Sequence, residues 1–94
     1  MNIYLSPEAE ADFAGVVGYL AERNPTAAAE LGRRIFAVMD KLARREFDGP
    51  EQNLRSGELV RSWPVPPIRV YYQRRTDSLW IVRLYHQAQP SIVR

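Results

Sequence analysis

Arginine stands inside three otherwise apolar or aromatic runs: Leu59-Val60-Arg61-Ser62-Trp63, Ile68-Arg69-Val70-Tyr71-Tyr72 and Leu79-Trp80-Ile81-Val82-Arg83-Leu84-Tyr85-His86. An arginine within a strand must face water or an anion, because burying it unpaired is costly. Guanidinium groups set among phenol rings can clamp carboxylates or phosphates while the rings stack or pack. Such a surface suits an acidic peptide or a nucleic acid. Proton-transfer chemistry has fewer candidates. General acid–base catalysis needs groups that titrate near neutral pH, and of His86, Tyr71, Tyr85, Glu51 and Glu58 only His86 does so unperturbed. Nucleophile-elbow and phosphate-loop motifs are absent, as is any cluster with metal-ligand spacing.

The 94 residues make one domain, 1–94, with a modest core. The chain has no cysteine and one histidine, which exclude a disulfide framework and most zinc sites; neither a metal nor any other cofactor is expected. No apolar run reaches the roughly 20 residues of a membrane span, and the N-terminus lacks a signal pattern, so a cytoplasmic protein without a membrane partner is expected. The formal charge of +2 is unevenly placed. Residues 1–50 hold six basic and eight acidic side chains, net −2, whereas residues 51–94 hold seven basic and three acidic, net +4. The positive charge therefore travels with the arginine-bearing runs.

Two start signals define the elements ahead of these runs. After a short strand at Ile3-Tyr4-Leu5, Ser6-Pro7 supplies an N-cap and a proline at the first helical position, and Asn24-Pro25 repeats the pattern. Ala9, Phe13, Val16, Val17 and Leu20 recur at helical spacing, as do Ala28, Leu31, Ile35, Val38, Met39 and Leu42. Gly15 and Gly18 weaken the first helix by about 1 kcal/mol each unless a close helix contact compensates. Phe47 to Gly57 lacks a period, contains Gly49-Pro50, and reads as a loop. The expected order is β-α-α-β-β-β: an α+β fold in which an N-terminal helical hairpin covers one face of a small four-stranded antiparallel sheet.

Strand alternation sets Arg69, Tyr71 and Gln73 against Ile68, Val70 and Tyr72. On the last strand Trp80, Val82, Leu84 and His86 alternate with Leu79, Ile81, Arg83 and Tyr85. Turning the more apolar sets towards the helices places Arg69, Tyr71, Arg83 and Tyr85 on the open face. His86 reads as a hydrogen-bonded residue at the edge of the core.

The order and spacing of these pieces carry a resemblance. Leu5-Ser6-Pro7-Glu8-Ala9-Glu10-Ala11-Asp12, Tyr19-Leu20-Ala21-Glu22-Arg23-Asn24-Pro25 and the three strand runs, ending Leu84-Tyr85-His86-Gln87-Ala88, together resemble the RelE/ParE superfamily of type II toxin–antitoxin toxins, in its ParE-like branch. The resemblance implies a growth-inhibiting toxin that poisons DNA gyrase without hydrolysing anything. Its partner would be a cognate antitoxin whose C-terminal segment wraps the hairpin and sheet. Antitoxin and target contacts would then fall on Arg61, Arg69, Tyr71, Arg83, Tyr85 and His86. RelE-like relatives imply the alternative, a ribosome-dependent mRNA endoribonuclease assembled here from Glu51 or Glu58, Arg69, Arg83 and His86. The loop before the sheet lacks the lysines of those nucleases, and no tyrosine follows His86. Where the ParE-like pattern places an arginine after the histidine this chain has Ala88-Gln89-Pro90, which leaves a weakened or inactive toxin, acting only as an antitoxin-binding module, as the further alternative.

Overall fold

Ser6 and Asn24 set the helical layer. In the computed structural model, which describes Met1–Arg94, Ser6 Oγ accepts the Ala9 N–H at 3.0 Å and opens α1 (Pro7–Arg23). Asn24 Oδ1 accepts the Ala27 N–H at 3.0 Å and opens α2 (Pro25–Ala43). The proline after each cap gives up an N–H that has no intrahelical partner anyway. Because Asn24 ends one helix and begins the next, the pair folds back on itself, with Phe13 against Phe36. The α2 helix closes with Glu46 N–H donating to the Lys41 carbonyl and Arg45 N–H to that of Leu42, both at 3.1 Å. Arg45 takes φ 59°, a left-handed position where glycine is usual.

Five strands follow the order β1 (Asn2–Leu5), β5 (Ser78–His86), β4 (Ile68–Arg74), β3 (Leu59–Val65) and β2 (Glu51–Asn53) across the sheet. The β-α-α-β-β-β arrangement is present, with one strand added. The added strand is β2, inside the segment read as a loop; its three residues pair antiparallel with Leu59–Arg61. The sheet is also mixed, because β1 runs parallel to β5 at one edge while the other pairings are antiparallel. The helices separate β1 from the rest of the sheet in sequence, and this long connection permits parallel entry.

The main core lies between helices and sheet. Leu31, Ile35, Met39 and Leu42 of α2 meet Ile68, Val70, Tyr72, Leu79, Ile81 and Leu84, all essentially inaccessible. A smaller cluster of Leu54, Val60 and Tyr71 sits on the opposite face, flanked by Val82, Tyr85, Ile92 and Val93. Gly15 and Gly18 have nothing within 4 Å of the position a Cβ would take, so no close helix contact offsets their cost in α1.

Candidate functional site

A bulge decides which β5 side chains share a face. Tyr71 pairs with Arg83 and Tyr72 with Ile81, so Val82 is an extra residue and Val82 and Arg83 together oppose Tyr71. Strict alternation therefore ends at Val82. Leu79, Ile81 and Leu84 enter the main core, whereas Val82 and Tyr85 join the cluster on the far face. Leu84 and Val82, assigned to one face by alternation, lie on opposite ones.

Arg69, Tyr71 and Tyr85 do come together on the face away from the helices. Arg69 is paired across strands with Tyr85, and its Nε donates to Ser62 Oγ at 2.8 Å. Ser62 Oγ in turn donates to Gln52 Oε1 at 2.5 Å. Arg69 has no carboxylate partner, which leaves its terminal amino groups to an external acceptor. Burial pushes the Tyr71 phenol above its ordinary pKa, partly countered by Arg69 and reinforced by Tyr85. The face is not open, however. Tyr71 is buried, and Ile92 and Val93 of the C-terminal tail lie against it.

Arg83 is engaged within the chain. Its Nε donates to Asp12 Oδ2 at 2.7 Å and its second amino group to Oδ1 at 2.9 Å, a two-pronged pairing with α1. Asp12 Oδ2 also accepts the Leu84 N–H at 3.0 Å, covering the edge of β5 beyond the end of β1. The hydrogen bonds that Arg83 donates to Asp12 raise its pKa further, against desolvation. Arg83 is thus a tie between helix and sheet rather than a free cation, in contrast to its expected place on an open surface.

Arg61 lies on the other side of β3 from the Val60 and Ser62 side chains. It donates to the Gly49 carbonyl at 2.8 Å and to Glu51 Oε1 at 3.0 Å. The same network holds Asp48 against Arg74 Nη1 at 2.6 Å and against the Tyr72 hydroxyl, while Gly49 N–H donates to Tyr72 Oη at 2.8 Å. Burial raises the Asp48 pKa, but the Tyr72 and Arg74 hydrogen bonds and the charges of Arg74 and Arg61 outweigh it and hold the carboxyl below its ordinary value. A depressed folded pKa stabilises the fold above the unfolded value, and that contribution disappears as pH falls through the folded value. Asp48→Asn is therefore expected to lower the melting temperature at neutral pH, with the difference from wild type vanishing in acid. Thermal unfolding of both proteins between about pH 2 and pH 7 checks this. A constant offset at every pH would contradict it.

His86 pairs with Ile68 and faces the helices. Its Nδ1 accepts the Ala88 N–H at 3.0 Å, as befits a hydrogen-bonded residue at the core edge. It borders a groove of about 540 Å³ lined by Gly15, Val16, Tyr19, Leu31 and Leu84. The ribonuclease set is consequently dispersed. Arg69 is on the far face, His86 on the helix face, and Arg83 is held by Asp12. Glu51, on the edge strand, is bonded to Arg61, and Glu58 to Ser56. Sequence reasoning missed Asp12, whose partner Arg83 is 71 residues away, and Asp48, whose partners Arg61, Tyr72 and Arg74 stand on later strands; no local pattern marks either.

The chain matches the family model described as the ParE toxin of the type II toxin–antitoxin system, parDE, over residues 3–90. The protein belongs to the ParE toxin family. Among solved structures it is similar to a chain of the chromosomal ParDE TA system from P. aeruginosa, with TM-score 0.68, covering 92% of this chain and 95% of that one. Identity is 17%, so that likeness is one of fold. Comparison with curated proteins yields no match. In this ParE family member no helix is long and apolar enough to cross a membrane.

Proposed function

We propose that the protein is a type II toxin that inhibits DNA gyrase by binding it, without cutting nucleic acid itself, and that a cognate antitoxin silences it in the cytoplasm. Membership of the ParE family supports the toxin role. The observation that carries the choice of target is the dispersal of Arg69 and His86 to opposite faces of the sheet. With the two on opposite faces, a phosphate held by Arg69 is not presented to His86 for proton transfer, which requires hydrogen-bond reach. The groove beside α1, with Tyr19 and Phe36 exposed along the hairpin, suits the apolar side of an antitoxin segment. Such a segment, disordered when free, gains its affinity by burying apolar surface as it folds. Of Arg61, Arg69 and Arg83, Arg69 is the one whose charge is left for its carboxylates.

Purified protein added to gyrase, ATP and supercoiled plasmid is expected to accumulate cleaved DNA, and antitoxin added first should prevent it. Unchanged plasmid together with new primer-extension stops on translating ribosomes would overturn this in favour of the nuclease. Neither effect, with antitoxin binding intact, would leave a binding module.

A further inference from the structure

The chain covers its own far face. Beyond His86 it turns through Gln87–Gln89 and crosses to the opposite edge of the sheet, where Val93 bridges Leu54 in antiparallel fashion. Arg55 N–H donates to the Ile92 carbonyl at 2.6 Å and Arg94 N–H to the Asn53 carbonyl at 2.9 Å. Midway, the Tyr85 hydroxyl donates to the Pro90 carbonyl at 2.6 Å. Ile92 and Val93 lie half-buried on Leu54, Val60 and Tyr71. The family match ends at residue 90, so these docking residues fall outside it.

This strap is lightly held. An outermost segment with few backbone bonds and two half-buried side chains belongs to the part of a fold that opens without global unfolding. Opening it would uncover the backbone of Asn53 and Arg55 at a sheet edge and the apolar cluster beside them, which is a template for an added strand. The strap also leaves charge unanswered. Arg61, Arg74 and Arg83 have carboxylate partners, but Arg55, which shares a basin with Ile92 and Trp80, has none. Arg69, beside Tyr71 and Tyr85, has none either. The strap contributes Ser91 and Arg94 there and no acidic side chain.

We propose that residues 90–94 are a displaceable latch over a peptide-binding sheet edge, whose occupant is an extended acidic segment of a partner protein carrying a β-branched apolar pair in the register of Ile92–Val93. That segment would repeat the strap's backbone bonds and add ion pairs to Arg55 and Arg69. Those pairs are what lets it compete with a latch present at an effective concentration of about a millimolar. The partner is the antitoxin of the reading above, on which this proposal rests, and the latch stands apart from the question of which target the toxin acts on.

Two measurements test it. In wild-type protein, hydrogen exchange at the Arg55 and Arg94 amides is expected to be faster than at Tyr72 and Ile81 and nearly independent of denaturant. Exchange of Arg55 only through global unfolding would overturn the latch, and needs no variant. The second uses full-length Ile92→Ser/Val93→Ser protein and two probes, a peptide of residues 89–94 and its Ser91→Glu counterpart. Both should bind the released variant about tenfold more tightly than wild type. The Ser91→Glu peptide should bind about threefold better than its parent, a gain that disappears with Arg55→Gln/Arg69→Gln. Absence of peptide binding to the released variant, or a gain that survives the arginine changes, would overturn the proposal. So would a wild-type dimer with exchanged straps, since the occupant would then be a second copy.

Discussion

Gly49→Ala is expected to destabilise the protein by about 3 kcal/mol, at the upper end of what overpacking costs. A Cβ on Gly49 would lie 1.7 Å from the Ser62 carbonyl oxygen and 2.7 Å from its carbonyl carbon, both backbone atoms of a central strand. No side-chain rotation relieves that overlap; the segment before β2 must move off β3. Movement would break the Gly49 N–H bond to Tyr72, the Arg61 bond to the Gly49 carbonyl and the Ser62 N–H bond to Pro50. For a domain of this size the loss corresponds to a fall of about 15 °C in melting temperature. The same chemical change at Gly18, where nothing lies within 4 Å, should raise stability by about 0.8 kcal/mol, because alanine restricts the unfolded chain and favours the helix. Thermal unfolding of the two variants side by side is therefore decisive. A Gly49→Ala protein as stable as wild type would show that the close approach of these backbones is not required.

The contrast between those glycines marks what a single sequence discloses. Ser6-Pro7 and Asn24-Pro25 are local signals, and both helices start where those residues cap them. Ile68, Val70 and Tyr72 alternate without interruption, and they line the core as alternation requires. In β5 the period breaks at Val82, which lets Arg83 meet a carboxylate on α1 while Leu84 enters the core. Nothing within the run Leu79–His86 announces a bulge, since the carboxylate that Arg83 meets there lies 71 residues away on α1. Strand β2 was hidden for a related reason: three polar residues after Gly49-Pro50 have no pattern of their own, and β3 supplies their partners. The candidate face was half legible. The shared face of Arg69, Tyr71 and Tyr85 followed from alternation, but its covering by Ile92 and Val93 depends on a bridge to Leu54. Arginine marked places that need an anion; only the fold determines which anions the chain provides itself.

Asp12→Ala is the second large effect, with an expected loss of about 2 kcal/mol and about 10 °C. Breaking a fully buried pair costs more, but Arg83 and Asp12 keep side-chain exposures of 28% and 15%, so water recovers part of the lost solvation. Two separate penalties combine. The Arg83 guanidinium loses both prongs of its pairing, and the Leu84 N–H loses its acceptor at an edge that β1 does not reach. Asp12→Asn should fall between wild type and Asp12→Ala, since an amide oxygen can still accept from Leu84 but does not balance the charge. A double-mutant cycle separates the roles. If Arg83 acts through Asp12, Arg83→Ala will be costly in the wild-type background and nearly neutral in Asp12→Ala, a coupling of at least about 1 kcal/mol. Antitoxin affinity measured on these four proteins and on Arg69→Ala should then change far less for Arg83→Ala than for Arg69→Ala. Equal losses of affinity at the two arginines would mean that the antitoxin displaces Asp12 and claims Arg83 for itself.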